Sequence, residues 1–154
     1  METDYQFPLQ VMEKGAQLGY APANLPLLFL VPFAQVAWAE GFVQASEQKA
    51  ILRFAANLRV KPEHKNFGQL LGWFDERPSE EFFDRSLEDL SELLEGIPAK
   101  QASRLRSMLQ FGCVEVAHAA GDIGLLRWRS NISREESEQL ENIGERLGLT
   151  HSYV

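Results

Sequence analysis

The chain is poor in several things, and each scarcity excludes something. It holds a single cysteine, Cys113, in 154 residues, so it can build neither an intrachain disulfide framework nor a metal knuckle of several thiolates. One cysteine among apolar helical residues is usually a small core side chain. Only three histidines are present, and no serine or cysteine stands in an activating context, so nucleophilic catalysis has no recognisable constellation. Basic residues are outnumbered, 15 Lys and Arg against 22 Asp and Glu, for a net charge of −7. A nucleic-acid binder needs a basic surface to displace counterions, so that class is not expected. A divalent cation or a basic protein partner suits this charge better.

No apolar run is long enough to cross a bilayer comfortably. The most apolar stretch, LPLLFLVPFAQVAWA at 25–39, is interrupted by Pro26, Pro32 and Gln35 and reads as a buried central helix. The opening METDYQFPLQVMEKG lacks the basic and then apolar segments of a secretory leader, so a cytoplasmic location is expected. The alternation of a half-buried strand is nowhere convincing.

What is present is helical periodicity. The expected helices cover 9–17, about 26–40, about 46–58, a short one from Pro62 to Phe74, 80–95, about 99–120, and a last one after Ser133. Pro26 can open the second helix, where a missing N–H costs nothing, and Pro32 should bend or divide it. Ser79 reads as an N-cap with Glu80 and Glu81 behind it. The inner stripes are Phe83, Leu87, Leu90 and Leu94 in one helix, then Leu105, Met108, Leu109, Gly112 and Val116 in the next, and Leu140, Ile143 and Leu147 in the last. Connections are short, so residues 1–154 form a single all-α domain, a compact bundle of about six to seven helices.

An internal repeat divides that bundle. Aligning Val43 with Ile132 places Glu47 on Glu136, Ile51 on Leu140, Phe54 on Ile143 and Leu58 on Leu147. Upstream, Ala37-Trp38-Ala39-Glu40-Gly41 falls on Ala117-His118-Ala119-Ala120-Gly121. Each half therefore reads helix, glycine stop, loop, helix with an early Glu, and the two halves can pack with pseudo-twofold symmetry.

At these residues the chain resembles the TerB-like family, the tellurite-resistance-associated helical domains. The first copy of the family's signature is AWAEGFVQASEQKAIL, with Glu40 at the usual Asp position and Glu47 on its Glu. The second is AHAAGDIG followed by ISREESEQL, with Glu136 matching. Ala120 replaces the expected acid, and Asp122 lies beyond the glycine. The resemblance covers about 25–149. It implies a noncatalytic helical domain linked to stress or tellurite response, with a cation at the acidic loop positions Glu40, Glu47, Asp122 and Glu136.

Each candidate has a plainer reading beside it. Glu47 and Glu136 are ligands for a hard cation, which wants several oxygens close together, or they are capping residues at the third position of their own helices. Glu115 and His118 have the Glu-x-x-His spacing of carboxylate-bridged bundles. They carry the alternative function, a metal-dependent enzyme or metal-storage protein. The second copy of that motif is missing, however, because its equivalent positions are Gln35 and Trp38. Glu88 and Glu92 belong to an acidic helix face that could meet a basic partner, or simply face solvent. Trp128, between Arg127 and Arg129, serves partner recognition or plugs one end of the bundle.

Overall fold

The computed structural model describes residues 7–120 and 132–149. It contains seven α-helices and, among the described residues, no strand: α1 Leu9–Gln17, α2 Leu25–Ala37, α3 Ala45–Asn57, α4 Lys65–Asp75, α5 Glu80–Glu95, α6 Ala99–Ala120 and α7 Arg134–Leu147. A 3₁₀ turn, Trp38–Glu40, continues α2.

α2 is the axis of the molecule. All thirteen of its residues are buried, and it packs against α3, α4, α5, α6 and α7. A helix that is apolar on every side can satisfy the hydrophobic effect only by being surrounded. Pro26 sits in the first turn, as expected. Pro32 does not divide the helix, which runs unbroken through it. The proline removes one N–H and strains one turn, but neighbours on all sides hold the segment helical.

The outer helices lay single stripes on this axis. α5 buries Phe83, Ser86, Leu87, Leu90, Leu93 and Leu94; α7 buries Leu140, Ile143 and Leu147. α6 approaches α2 closely at Gly112, where a Cβ would lie 2.3 Å from the Phe33 ring. Cys113 is buried beside it, and burial pushes its thiol well above its ordinary pKa. It is a core residue and a poor nucleophile.

Helix ends follow local chemistry. The Ser79 hydroxyl accepts from Phe82 N at 3.0 Å, which satisfies one of the unpaired donors of the α5 first turn. Ser79→Ala is therefore expected to lower stability by about 1 kcal/mol, read from the denaturant midpoint; an unchanged midpoint would remove the cap from the account. Gly41 turns the chain at φ +93 and Gly148 at φ +72, conformations that glycine adopts without a Cβ clash. The first lets α3 double back on α2. The second ends α7, whose Leu147 carbonyl accepts from Arg106 Nε at 2.9 Å.

Candidate functional site

The two repeated hairpins open their second helices in the same way. At α3 the cap is Gln44, and its backbone N–H donates to Glu47 Oε1 at 2.8 Å. At α7 the cap is Ser133, and its N–H donates to Glu136 Oε1 at 2.9 Å, while Glu136 N donates back to Ser133 Oγ at 3.1 Å. Both are capping boxes, in which a glutamate at the third position reaches back over the helix start. Val43 and Ile132, one residue before each cap, are half-buried and pack on the core. The capping reading of Glu47 and Glu136 is thus correct.

Capping does not account for their surroundings. A capping glutamate is normally solvated, yet Glu47 and Glu136 are each only 1% exposed. One oxygen of each is used by the cap. The other, Oε2, is buried with no donor to meet it. The two carboxyl groups also come within hydrogen-bonding reach of each other, so the repeat brings its two early glutamates face to face. Ser46 Oγ donates to Ala119 O at 2.8 Å, tying the start of α3 to the last turn of α6 beside the pair.

Two carboxylates cannot both be charged in such a place at low cost. Burial raises the Glu47 pKa from its ordinary 4.5 to about 8, the cap N–H of Gln44 opposes the rise, and the charges of Glu136 and Glu40 add to it. Glu136 is raised too, again chiefly by burial and then by Glu40, against the cap of Ser133. As two carboxylates neither group can donate to the other. With one proton between them, Glu47 donates to Glu136, a single shared titration.

Of the four expected cation ligands, the fold brings Glu47 and Glu136 together. Glu40 ends the 3₁₀ turn and is exposed; its charge acts on both partners, but among the described residues no set of three His, Cys, Asp or Glu side chains stands close enough to hold a metal. Asp122 lies outside the described residues, as does Trp128. Glu88 and Glu92 are exposed on α5. Part of their face is engaged within the molecule: Asp84 pairs with Arg146 at 2.8 Å, Glu80 with Arg77 at 2.7 Å, and Asp89 accepts from the Tyr20 hydroxyl at 2.6 Å. Glu115 and His118 are both exposed on α6, off the stripe that faces the core. A bundle-core metal site needs inward-facing ligands, and these two do not supply them.

Gln35 is the residue that periodicity passes over. It is 4% exposed in the middle of α2, donates through Nε2 to Gln139 Oε1 at 3.0 Å, and keeps a buried Oε1 without a donor. Gln139 is one turn along α7 from Glu136, so a polar seam runs from the carboxylate pair toward the axis helix. The signal was present in the sequence, where Gln35 is the one amide in an otherwise apolar stretch. No family model, curated protein or solved structure matches the chain.

Proposed function

We propose that this protein is a noncatalytic TerB-like helical domain that takes up a divalent cation between Glu47 and Glu136. The observation that carries the reading is that each hairpin contributes a buried Oε2 with no hydrogen-bond partner, on two carboxyl groups within reach of each other. Buried polar groups left unmet are costly and need an explanation. A cation between the two oxygens would supply one. It would remove the repulsion, satisfy both lone pairs and link the start of α3 to the start of α7.

The donor set is all oxygen, which suits calcium, magnesium or manganese better than zinc or copper, whose sites favour nitrogen and sulfur. Two carboxylates neutralise a dication. They fill only part of its shell, so water must provide further oxygens. The capping bonds hold each Oε1 in place and leave Oε2 free to bind, which makes the site preorganised. The stress-response role rests on the family resemblance alone.

The test is a thermal-unfolding series at pH 7.5 with calcium, magnesium or manganese. A ligand of the folded state at a hundredfold excess over its Kd stabilises by about 2.7 kcal/mol, so the midpoint should rise by several degrees with at least one ion. Glu47→Gln and Glu136→Gln should each remove most of that rise. If no ion shifts the wild-type midpoint, or the variants respond as the wild type does, the proposal is wrong.

A further inference from the structure

A cavity of about 240 Å³ lies between the turn before α2, one face of α2, and the packed faces of α4 and α5. An apolar cavity of ~150 Å³ takes up benzene, and drug-sized sites begin near ~300 Å³. The space therefore suits a compact head group, benzene-sized or slightly larger. Tyr20, Trp73 and Phe82 line it over a floor of α2 side chains, and its other polar groups, Asn24, Gln69 and Ser86, are neutral. The wall thus holds three aromatic rings and no charged side chain.

Two hydrogen bonds fix these rings. Trp73 and Phe82 have centroids 5.7 Å apart and are inclined by 57°, so they form a corner and not a stack. The Trp73 carbonyl accepts from Trp38 Nε1 at 2.6 Å, which ties that corner to the 3₁₀ turn. The Tyr20 hydroxyl donates to Asp89 Oδ2 on α5 at 2.6 Å. Donation to a carboxylate makes the phenol ring richer in electrons, and its face attracts a cation more strongly. Asp89 acts on Tyr20 more strongly than Arg85, the cation one turn before it, and neither belongs to the wall. Beyond Trp73 and Phe82 the surface continues as a shallower groove past Glu76 and Arg77. Arg77 is engaged there, paired with Glu80 at 2.7 Å and lying 5.2 Å from the Phe83 ring centre.

We infer that this cavity binds a quaternary ammonium group on the rings of Tyr20, Trp73 and Phe82, with the Asp89 carboxylate as its remote countercharge. Such a cation has no N–H to donate, so it wants aromatic faces and a nearby negative charge, and it needs no acceptor inside the cavity. An unmethylated ammonium is strongly hydrated, and no carboxylate in the wall would replace the water it loses. An anion would meet negative ring faces and the field of Asp89. The net charge of −7 favours the arrival of a cation as well.

The probe is choline, titrated into the full chain and followed by the NMR signal of the Trp73 indole, beside its uncharged carbon isostere tert-butylethanol, ethanolamine and acetate. Blocked trimethyllysine presents the same head group from a protein side chain, and the tighter of the two names the source. Choline or trimethyllysine should shift the Trp73 signal saturably, and the other three should bind at least about tenfold more weakly. Phe82→Leu keeps apolar volume at a half-buried position and removes one ring; it should weaken choline severalfold and leave tert-butylethanol unchanged. Asp89→Asn keeps an acceptor for Tyr20 and removes the charge, with the same expected pattern. Denaturant midpoints confirm that both variants are folded. Glu47→Gln should have no effect, because the cavity and the carboxylate pair share no residue. The inference is overturned if neither quaternary probe shifts Trp73, if tert-butylethanol or ethanolamine binds as tightly, or if both folded variants keep wild-type affinity.

Discussion

Without divalent cations, the wild-type protein is expected to lose stability as pH rises from 5 to 9, and Glu47→Gln to lose far less. The sign follows from where the protons are. In the unfolded chain Glu47 releases its proton near 4.5; in the folded protein it holds it to about 8. Between those values the folded state binds more protons, so its stability is full below the lower value and declines as pH rises through the upper one. Each unit of separation is about 1.4 kcal/mol, which puts the full effect on the order of a few kcal/mol. Every other titrating group contributes equally to both proteins, so the comparison must be the difference between wild type and variant. The amide introduced by Glu47→Gln would mimic the protonated acid and donate to Glu136 at every pH. Denaturant unfolding from pH 5 to 9 should therefore give curves that meet near pH 5, diverge steadily as pH rises and run parallel above about 8, with the variant more stable. Curves parallel over the whole range would mean that the pair is hydrated and ordinary.

The second large effect is expected at the helix crossing. Gly112→Ala should destabilise the protein by roughly 1–3 kcal/mol, the usual cost of overpacking a close-packed core. The added methyl would lie 2.3 Å from Phe33 Cζ and 2.5 Å from Cε1. Phe33 is fully buried and packs in a tilted arrangement against Phe54 with ring centroids 5.0 Å apart, so the ring cannot move without disturbing a third element. Alanine in a helix interior would normally gain up to about 1 kcal/mol over glycine, and the clash has to exceed that gain. A variant as stable as wild type or more so would show that α2 and α6 can separate at little cost, which contradicts the role given to α2 as a fully enclosed axis.

Much of this architecture was legible because the chain writes its helices locally. Ser79, Ser133 with Glu136, Gly41 and Gly148 are short-range signals, and each marks an end in the fold. The stripes of α5, α6 and α7 were equally plain, since burial on one face imposes the period. Pro32 left two outcomes open, a bend or a division, and the second is decided by what surrounds the helix, which local rules do not read. The candidate site was half legible. The repeat register placed Glu47 on Glu136, but a capping motif describes only one oxygen of each side chain. That the two carboxyl groups meet, each keeping a dry and unmet Oε2, is a property of how the hairpins pack, with more than eighty residues between them in sequence. Glu40 belongs to the same repeated stretch and yet stands exposed, because it ends a turn and does not start a helix.

The most direct measurement is a crystal structure of the protein grown with manganese and read by anomalous scattering. The account predicts a peak between Glu47 Oε2 and Glu136 Oε2, with both Oε1 atoms still on the backbone N–H groups of Gln44 and Ser133. A pair closed on itself with no peak, or manganese found only on the acidic face around Glu88 and Glu92, would contradict it.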